Sequence, residues 1–179
     1  PGLRAQEVDV MTISHDHFDH NYTKLVKSAV NTIRGPGLQE AGPITIKGIS
    51  ASHGPGRGES IIFVWGMDGI NFCHLGDLGV ALYPDQIYQI GAVDVLFIPV
   101  GGHFTIDASQ ATQVVEALHP KIVIPMHYQT AALVPSLRDV LAPVDDFVAG
   151  KEKHPDCGKH TVILSKDTLP QTTQVLVMA

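Results

Sequence analysis

Ser14-His15-Asp16-His17-Phe18-Asp19-His20 follows directly on the β-prone run Val8-Asp9-Val10-Met11-Thr12-Ile13, and its reading decides the rest. Four potential ligands crowd into six positions as His15-x-His17-x-Asp19-His20. A loop at a strand end can send alternate side chains in different directions, so His15 and His17 can share one cation while Asp19 and His20 turn toward a second. Imidazole and carboxylate are ligands that zinc, manganese and iron accept. A polar surface loop without metal would gain nothing from packing three histidines and an aspartate so tightly.

Outward from this loop, the pattern predicts a helix over Tyr22–Ala29 and a strand over Ile44–Ser50, where apolar and polar residues alternate. Ile61–Trp65 and Ile70–His74 flank Met67-Asp68-Gly69, an Asp-Gly hairpin signal. Val93–Pro99 is nearly all apolar, as in a strand buried on both faces, and Gly101-Gly102 ends it. Asp107 with Gln110 reads as a capping box opening a helix whose Ala111, Val114, Val115 and Leu118 share one face. Ile122–Pro125 is a further strand running into Met126-His127-Tyr128. A helical piece near Leu133–Leu141 and strands at Thr161–Leu164 and Gln174–Met178 complete the expectation. Strands and helices mixed in this order fit a layered α/β domain.

The chain has 179 residues, of which 44% are hydrophobic and 17% charged, which suits one compact domain able to bury roughly 70% of its unfolded surface. Its formal net charge of −6 and the lack of a Lys/Arg run argue against nucleic acid as a partner. No apolar run approaches the ~20 residues that cross a bilayer, so no membrane role is expected. Cys73 and Cys157 form no C-x-x-C pair and read as thiols of a reducing compartment; with no leader pattern, the expected location is the cytoplasm. The chain begins at Pro1 rather than Met, and the first strand-like run starts only at Val8, which suggests that a native N-terminal segment is missing.

The H-x-H-x-D-H motif after a short strand resembles the signature of the metallo-β-lactamase superfamily. Ala51-Ser52-His53-Gly54, His74-Leu75-Gly76-Asp77 and Pro125-Met126-His127-Tyr128 follow in the order of that superfamily. The runs His74-Leu75-Gly76-Asp77-Leu78-Gly79 and Pro99-Val100-Gly101-Gly102-His103-Phe104-Thr105 resemble its branch of metal-dependent hydrolases that includes ascorbate-6-phosphate lactonase-like proteins. The resemblance implies a four-layer αββα sandwich over residues 1–179, lacking the first strands and the Gly-His-Ala-type turn with which such proteins usually begin. It also implies that His15, His17 and His53 hold one ion, that Asp19, His20 and His127 hold another, and that Asp77 bridges them. His74 is the rival to His53, and otherwise a neighbour that orients Asp77.

Such a site implies a hydrolase with two divalent ions, zinc first and manganese or iron as alternatives. Two ions ~3.5–4 Å apart can carry a bridging hydroxide that attacks an ester, lactone or phosphoester of a small molecule. Asp19 is expected to serve both as ligand and as proton acceptor. His103 is the candidate for a further catalytic contact. Arg57, within Gly56-Arg57-Gly58, is a candidate for gripping a phosphate or carboxylate, which would make the substrate anionic. The alternatives are a metal-dependent nuclease or phosphodiesterase, a di-iron redox protein and a catalytically inactive metal-binding domain. Di-iron members carry glutamate where this chain has His17, which favours hydrolysis. A homo-oligomer is compatible with the sequence.

Overall fold

The computed structural model describes residues 6–18 and 20–179, with the backbone alone at residues 6 and 28–30. Among the described residues, nine strands fall into two sheets. β1 (Gln6–Ile13) and β2 (Val26–Arg34) pair in parallel as a two-stranded sheet. The other seven, β3 (Gly37–Ala41), β4 (Ile44–Ser52), β5 (Glu59–Met67), β6 (Ile70–His74), β7 (Val95–Pro99), β8 (Ile122–Met126) and β9 (Gln174–Val175), form a second sheet in sequential order. Pairing is antiparallel from β3 to β6 and parallel from β6 to β9. The mixed α/β architecture expected of the chain is the one observed.

Alternation along the central strands divides the interior. On β5, Ile61 and Phe63 join Ile33, Ala41 and Ile46 between the two sheets, while Ile62 faces the opposite side. That opposite core gathers Leu96, Ile98 and Val123 beneath helices α1 (Pro84–Ile90), α2 (Ala108–Leu118) and α4 (Val144–Val148). A third cluster, built on Ile70, Val95, Ile122 and Leu176, is covered by Val162, Leu164 and Leu169 of the C-terminal stretch. β7 and β8 are therefore covered on both faces, which is why they read as continuous apolar runs.

Several sequence expectations hold in detail. Asp107 caps α2, its carboxylate accepting the Gln110 N–H at 2.8 Å while the Gln110 amide oxygen accepts the Asp107 N–H at 3.1 Å. The four residues predicted for the inner face of α2 are the buried ones. Asp68 and Gly69 make the β5–β6 turn, both with positive φ (52° and 75°), as a tight hairpin requires.

The helix expected over Tyr22–Ala29 is absent. A single 3-10 turn at Thr23–Leu25 leads instead into β2. The β-branched Val26, Val30, Thr32 and Ile33 favour an extended chain, and β1 offers a ladder to pair with. The helix expected near Leu133–Leu141 shrinks to one turn, α3 (Pro135–Arg138), opened by Pro135. Thr161–Leu164 is irregular. Val162 and Leu164 still pack inward, but the segment has no strand ladder, and Ile163 is left exposed. The strand expected over Gln174–Met178 is regular only at Gln174–Val175. β3, α1 and α4 lacked a clear pattern in the sequence.

Candidate metal centre

Parallel strands cannot be joined by a tight turn, so β1 and β2 need a crossover, and residues 14–25 supply it. The His-rich motif is therefore the crossover itself, at the carboxyl end of β1. The loops after β4, β6, β7 and β8 open on the same edge, because β4, β6, β7 and β8 run in one direction. His53, Asp77 and His127 lie in three of these loops.

The side chains converge on one carboxylate oxygen. Asp77 Oδ2 lies 3.7 Å from His15 Nε2, 3.4 Å from His20 Nε2, 3.4 Å from His53 Nε2 and 3.5 Å from His127 Nε2. His17 Nδ1 completes the group, 3.2 Å from His53 Nε2. Two sets have ligand atoms close enough to share an ion: His15, His17 and His53, and His15, His20 and Asp77. Five of the expected histidines and Asp77 are thus brought together. Asp19 lies outside the described residues.

Two residues of β5 hold the ligand loops in register. The Ser60 hydroxyl, fully buried, accepts the Asp77 N–H at 3.0 Å, and the Ile61 N–H donates to the Ser14 carbonyl at 2.9 Å. At Gly76, with φ of +55°, an added Cβ would fall 2.6 Å from Ser60 Oγ. Gly101 is equally constrained, since a Cβ there would sit 2.1 Å from the His127 carbonyl oxygen. His127 itself has φ of 60°, a left-handed backbone uncommon for a non-glycine residue and concentrated at functional sites. On the outer side of the motif, Arg34 donates to the Asp16 carboxylate at 2.9 Å and ties the crossover to the end of β2.

Burial sets the electrostatics. It pushes His15 down to about 4, against the opposing pull of Asp77, and likewise lowers His53. Burial thus favours the neutral form of both imidazoles, which has a lone pair to offer. His15 Nδ1 lies 2.9 Å from Ser14 Oγ, while its buried Nε2, on the side facing Asp77, has no hydrogen-bond partner. A buried ring nitrogen without a partner is costly unless something outside the polypeptide satisfies it. The donor set thus fits a borderline divalent ion.

His74 borders the cluster, close enough for Asp77 and His20 to act on its charge. Its Nδ1 accepts the Gly76 N–H at 3.0 Å, its ring stacks on Phe97, and burial lowers it to about 4. The His53 ring nitrogen, by comparison, lies 3.4 Å from Asp77 Oδ2. His103, also left-handed at φ of 56°, is exposed with its ring edge-on to Phe104 at 4.2 Å. Sequence reasoning passed over Ser14 and Ser60, and over Phe18, Phe104 and Leu137, which line a cavity with His17, Arg57 and Asp77. Adjacency to His15 was the only available signal for Ser14. Ser60 had none, because its role depends on a loop 17 residues away.

The beta-lactamase superfamily domain model matches residues 2–127, most of the chain. The chain belongs to this superfamily. Similar proteins include two named UPF0173 metal-dependent hydrolases. One, from Thermofilum pendens, is 31% identical over 71% of this chain and 65% of its own length. The other, from Thermococcus kodakarensis, is 31% identical over 69% of this chain and 68% of its own. The chain thus spans just under two thirds of the first relative. Among solved structures, a Thermotoga maritima protein put forward as a zinc-dependent hydrolase of the metallo-beta-lactamase superfamily is 39% identical. It superposes with a TM-score of 0.78, covering 96% of this chain and 82% of that one. Among the described residues, no helix is long and apolar enough to cross a membrane.

Proposed function

We propose that this chain is a metal-dependent hydrolase with a two-metal site, acting on an ester, lactone or phosphoester of a small molecule. The observation that carries the reading is the Asp77 carboxylate, with four imidazole nitrogens within 3.7 Å of one of its oxygens. His15, His17 and His53 would hold one ion, Asp19, His20 and His127 the other, and Asp77 would lie between them. The names of the relatives and the buried His15 Nε2 support this assignment. Zinc is the proposed metal, in line with the Thermotoga maritima neighbour and with a site rich in imidazole. When bound, such ions supply Lewis acidity that activates water and polarises the scissile oxygen.

The residues of the chain do the rest. With Nε2 of His15 kept for metal, its Nδ1–H donates to Ser14 Oγ and fixes the ring orientation. Asp77 is held by the Ser60 hydroxyl through its own N–H, so its carboxylate stays among the imidazoles. Asp19 is the proposed acceptor for the proton released from the attacking water. His103 is assigned to a rim contact with substrate, because its exposed ring lies against Phe104, a wall of the adjoining cavity. Two free thiols agree with a reducing compartment, and we place the protein in the cytoplasm on that ground.

His17→Ala tests the site. Removing a ligand should cost more than the ~10–100-fold typical of residues that only orient ligands. The expected result is loss of turnover on generic esters, lactones and phosphodiesters, with lower metal content by elemental analysis and an unchanged circular dichroism spectrum. Chelation should silence the wild-type protein, and zinc should restore it. Near-wild-type turnover in the metal-depleted variant would sink the mechanism. Full metal occupancy with no turnover would point to an inactive metal-binding domain.

A further inference from the structure

A cavity of about 240 Å³ opens beside the cluster, lined by His17, Asp77, Arg57, Phe18, Phe104 and Leu137. Its floor is the metal-ligating edge, and its walls are apolar apart from one cation. That cation is held in place. The loop carrying Arg57 leaves β4 at His53 and closes on itself, the His53 N–H donating to the Gly58 carbonyl at 3.0 Å and the Arg57 N–H to the Gly54 carbonyl at 3.2 Å. The guanidinium then lies over the Phe104 ring, 4.6 Å from its centroid. An arginine on an exposed loop would ordinarily wave in solvent, but a cation–π contact and a tight turn restrict this one.

Arg57 differs from those cations of the molecule that are tied to a carboxylate or a backbone carbonyl, such as Lys47, Lys121 and Lys151 on carbonyls. Arg34 pairs with Asp16, Lys166 with Asp94 and Lys159 with Asp156. Among the described residues, no carboxylate pairs with Arg57. Its stacked face contacts Phe104, while the planar N–H edge keeps its donors for a pair of oxygens, the arrangement in which arginine grips carboxylate or phosphate bidentately. Phe18, 83% exposed at the mouth, and Leu137 offer apolar contact to a carbon skeleton.

We propose that Arg57 is the specificity determinant of the site, binding an oxyanion of the substrate remote from the scissile bond while Phe18, Phe104 and Leu137 take its apolar part. The preferred substrates are then small anionic esters, lactones or phosphoesters. This rests on the hydrolase reading above, so the test has one arm that needs no turnover.

In the first arm, metal-free wild-type protein is titrated calorimetrically with benzoate, phenyl phosphate and the neutral control benzamide. One or both anions should bind in preference to benzamide, and the tighter of the two identifies carboxylate or phosphate as the group recognised. Arg57→Ala should weaken that anion about tenfold or more, and Arg57→Lys should recover only part, because a point charge lacks the planar fork. In the second arm, the metal-loaded enzyme is given para-nitrophenyl acetate and para-nitrophenyl succinate. Arg57→Ala should raise KM for the succinate with kcat little changed, leave the acetate unaffected, and keep its metal content. Equal anion affinity in wild type and Arg57→Ala, or no anion binding by wild type, overturns the proposal. Anion binding that depends on Arg57, in a metal-loaded protein that hydrolyses neither these esters nor the lactones and phosphodiesters of the first test, overturns the hydrolase reading and leaves the anion site supported.

Discussion

Gly101 shows how much a proposed ligand, His127, can depend on a residue that has no side chain. The His127 carbonyl passes so close to it that a methyl group would overlap the backbone, and His127 is already held in a left-handed conformation. Gly101→Ala should therefore displace His127 and destabilise the fold by about 1–3 kcal/mol. Thermal unfolding and metal stoichiometry check this together; unchanged values of both would show that the loop yields without disturbing the centre. The same reasoning separates His53 from His74. Both are histidines at strand ends, with rings lowered by burial, yet it is the His53 ring nitrogen that lies 3.4 Å from Asp77 Oδ2. Residue type and spacing left both open, since the choice depends on where the end of β4 lies relative to the end of β6.

The elements divide into those that carry their own signal and those that borrow one. α2 carries its own, with a capping box at one end and an apolar face of four buried residues. Asp107→Ala should cost about 0.5–2 kcal/mol in urea denaturation and leave turnover intact, because the cap contributes to helix stability and does not touch the metal cluster. A variant as stable as wild type would mean that packing alone holds the helix start. β2 is the opposite case. Its residues allowed a helical reading, and only a parallel partner and the crossover through His15–His20 make it a strand. Likewise, Val162 and Leu164 cover the core cluster around Ile70 without any ladder, which local alternation could not distinguish from a true strand.

Across the fold, the ties that hold the C-terminal stretch to the sheet are partly ionic. Asp94, just ahead of β7, accepts the Asn71 N–H at 2.8 Å and the Lys166 ammonium at 2.9 and 3.0 Å. Burial alone would raise this carboxyl, but the Asn71 and Lys166 contacts outweigh it and hold the group below its ordinary value. A depressed carboxyl contributes stability above its unfolded pKa, about 3.9, and loses that contribution as the pH falls through the lower native value. Asp94→Asn should accordingly lower Tm at neutral pH, with the gap to wild type closing below about pH 4. A gap that stays constant with pH would show that shape, rather than charge, matters there. Lys166 is more than half exposed, so its share of the effect should shrink in high salt.

The metal-dependent hydrolase class was legible without coordinates, because such a site needs particular donor atoms, and His15-x-His17-x-Asp19-His20 with His53, Asp77 and His127 offers candidates for them by type and spacing. Strands buried on both faces and a capped helix were legible for a similar reason, since burial and capping leave local marks. What only the folded chain decided was which loops meet: those carrying His53, Asp77 and His127 on one sheet edge, and Arg57 and Phe104 on one cavity wall. Those outcomes follow from the register of strands far apart in sequence, and no local preference encodes the distance between two loops on a sheet edge.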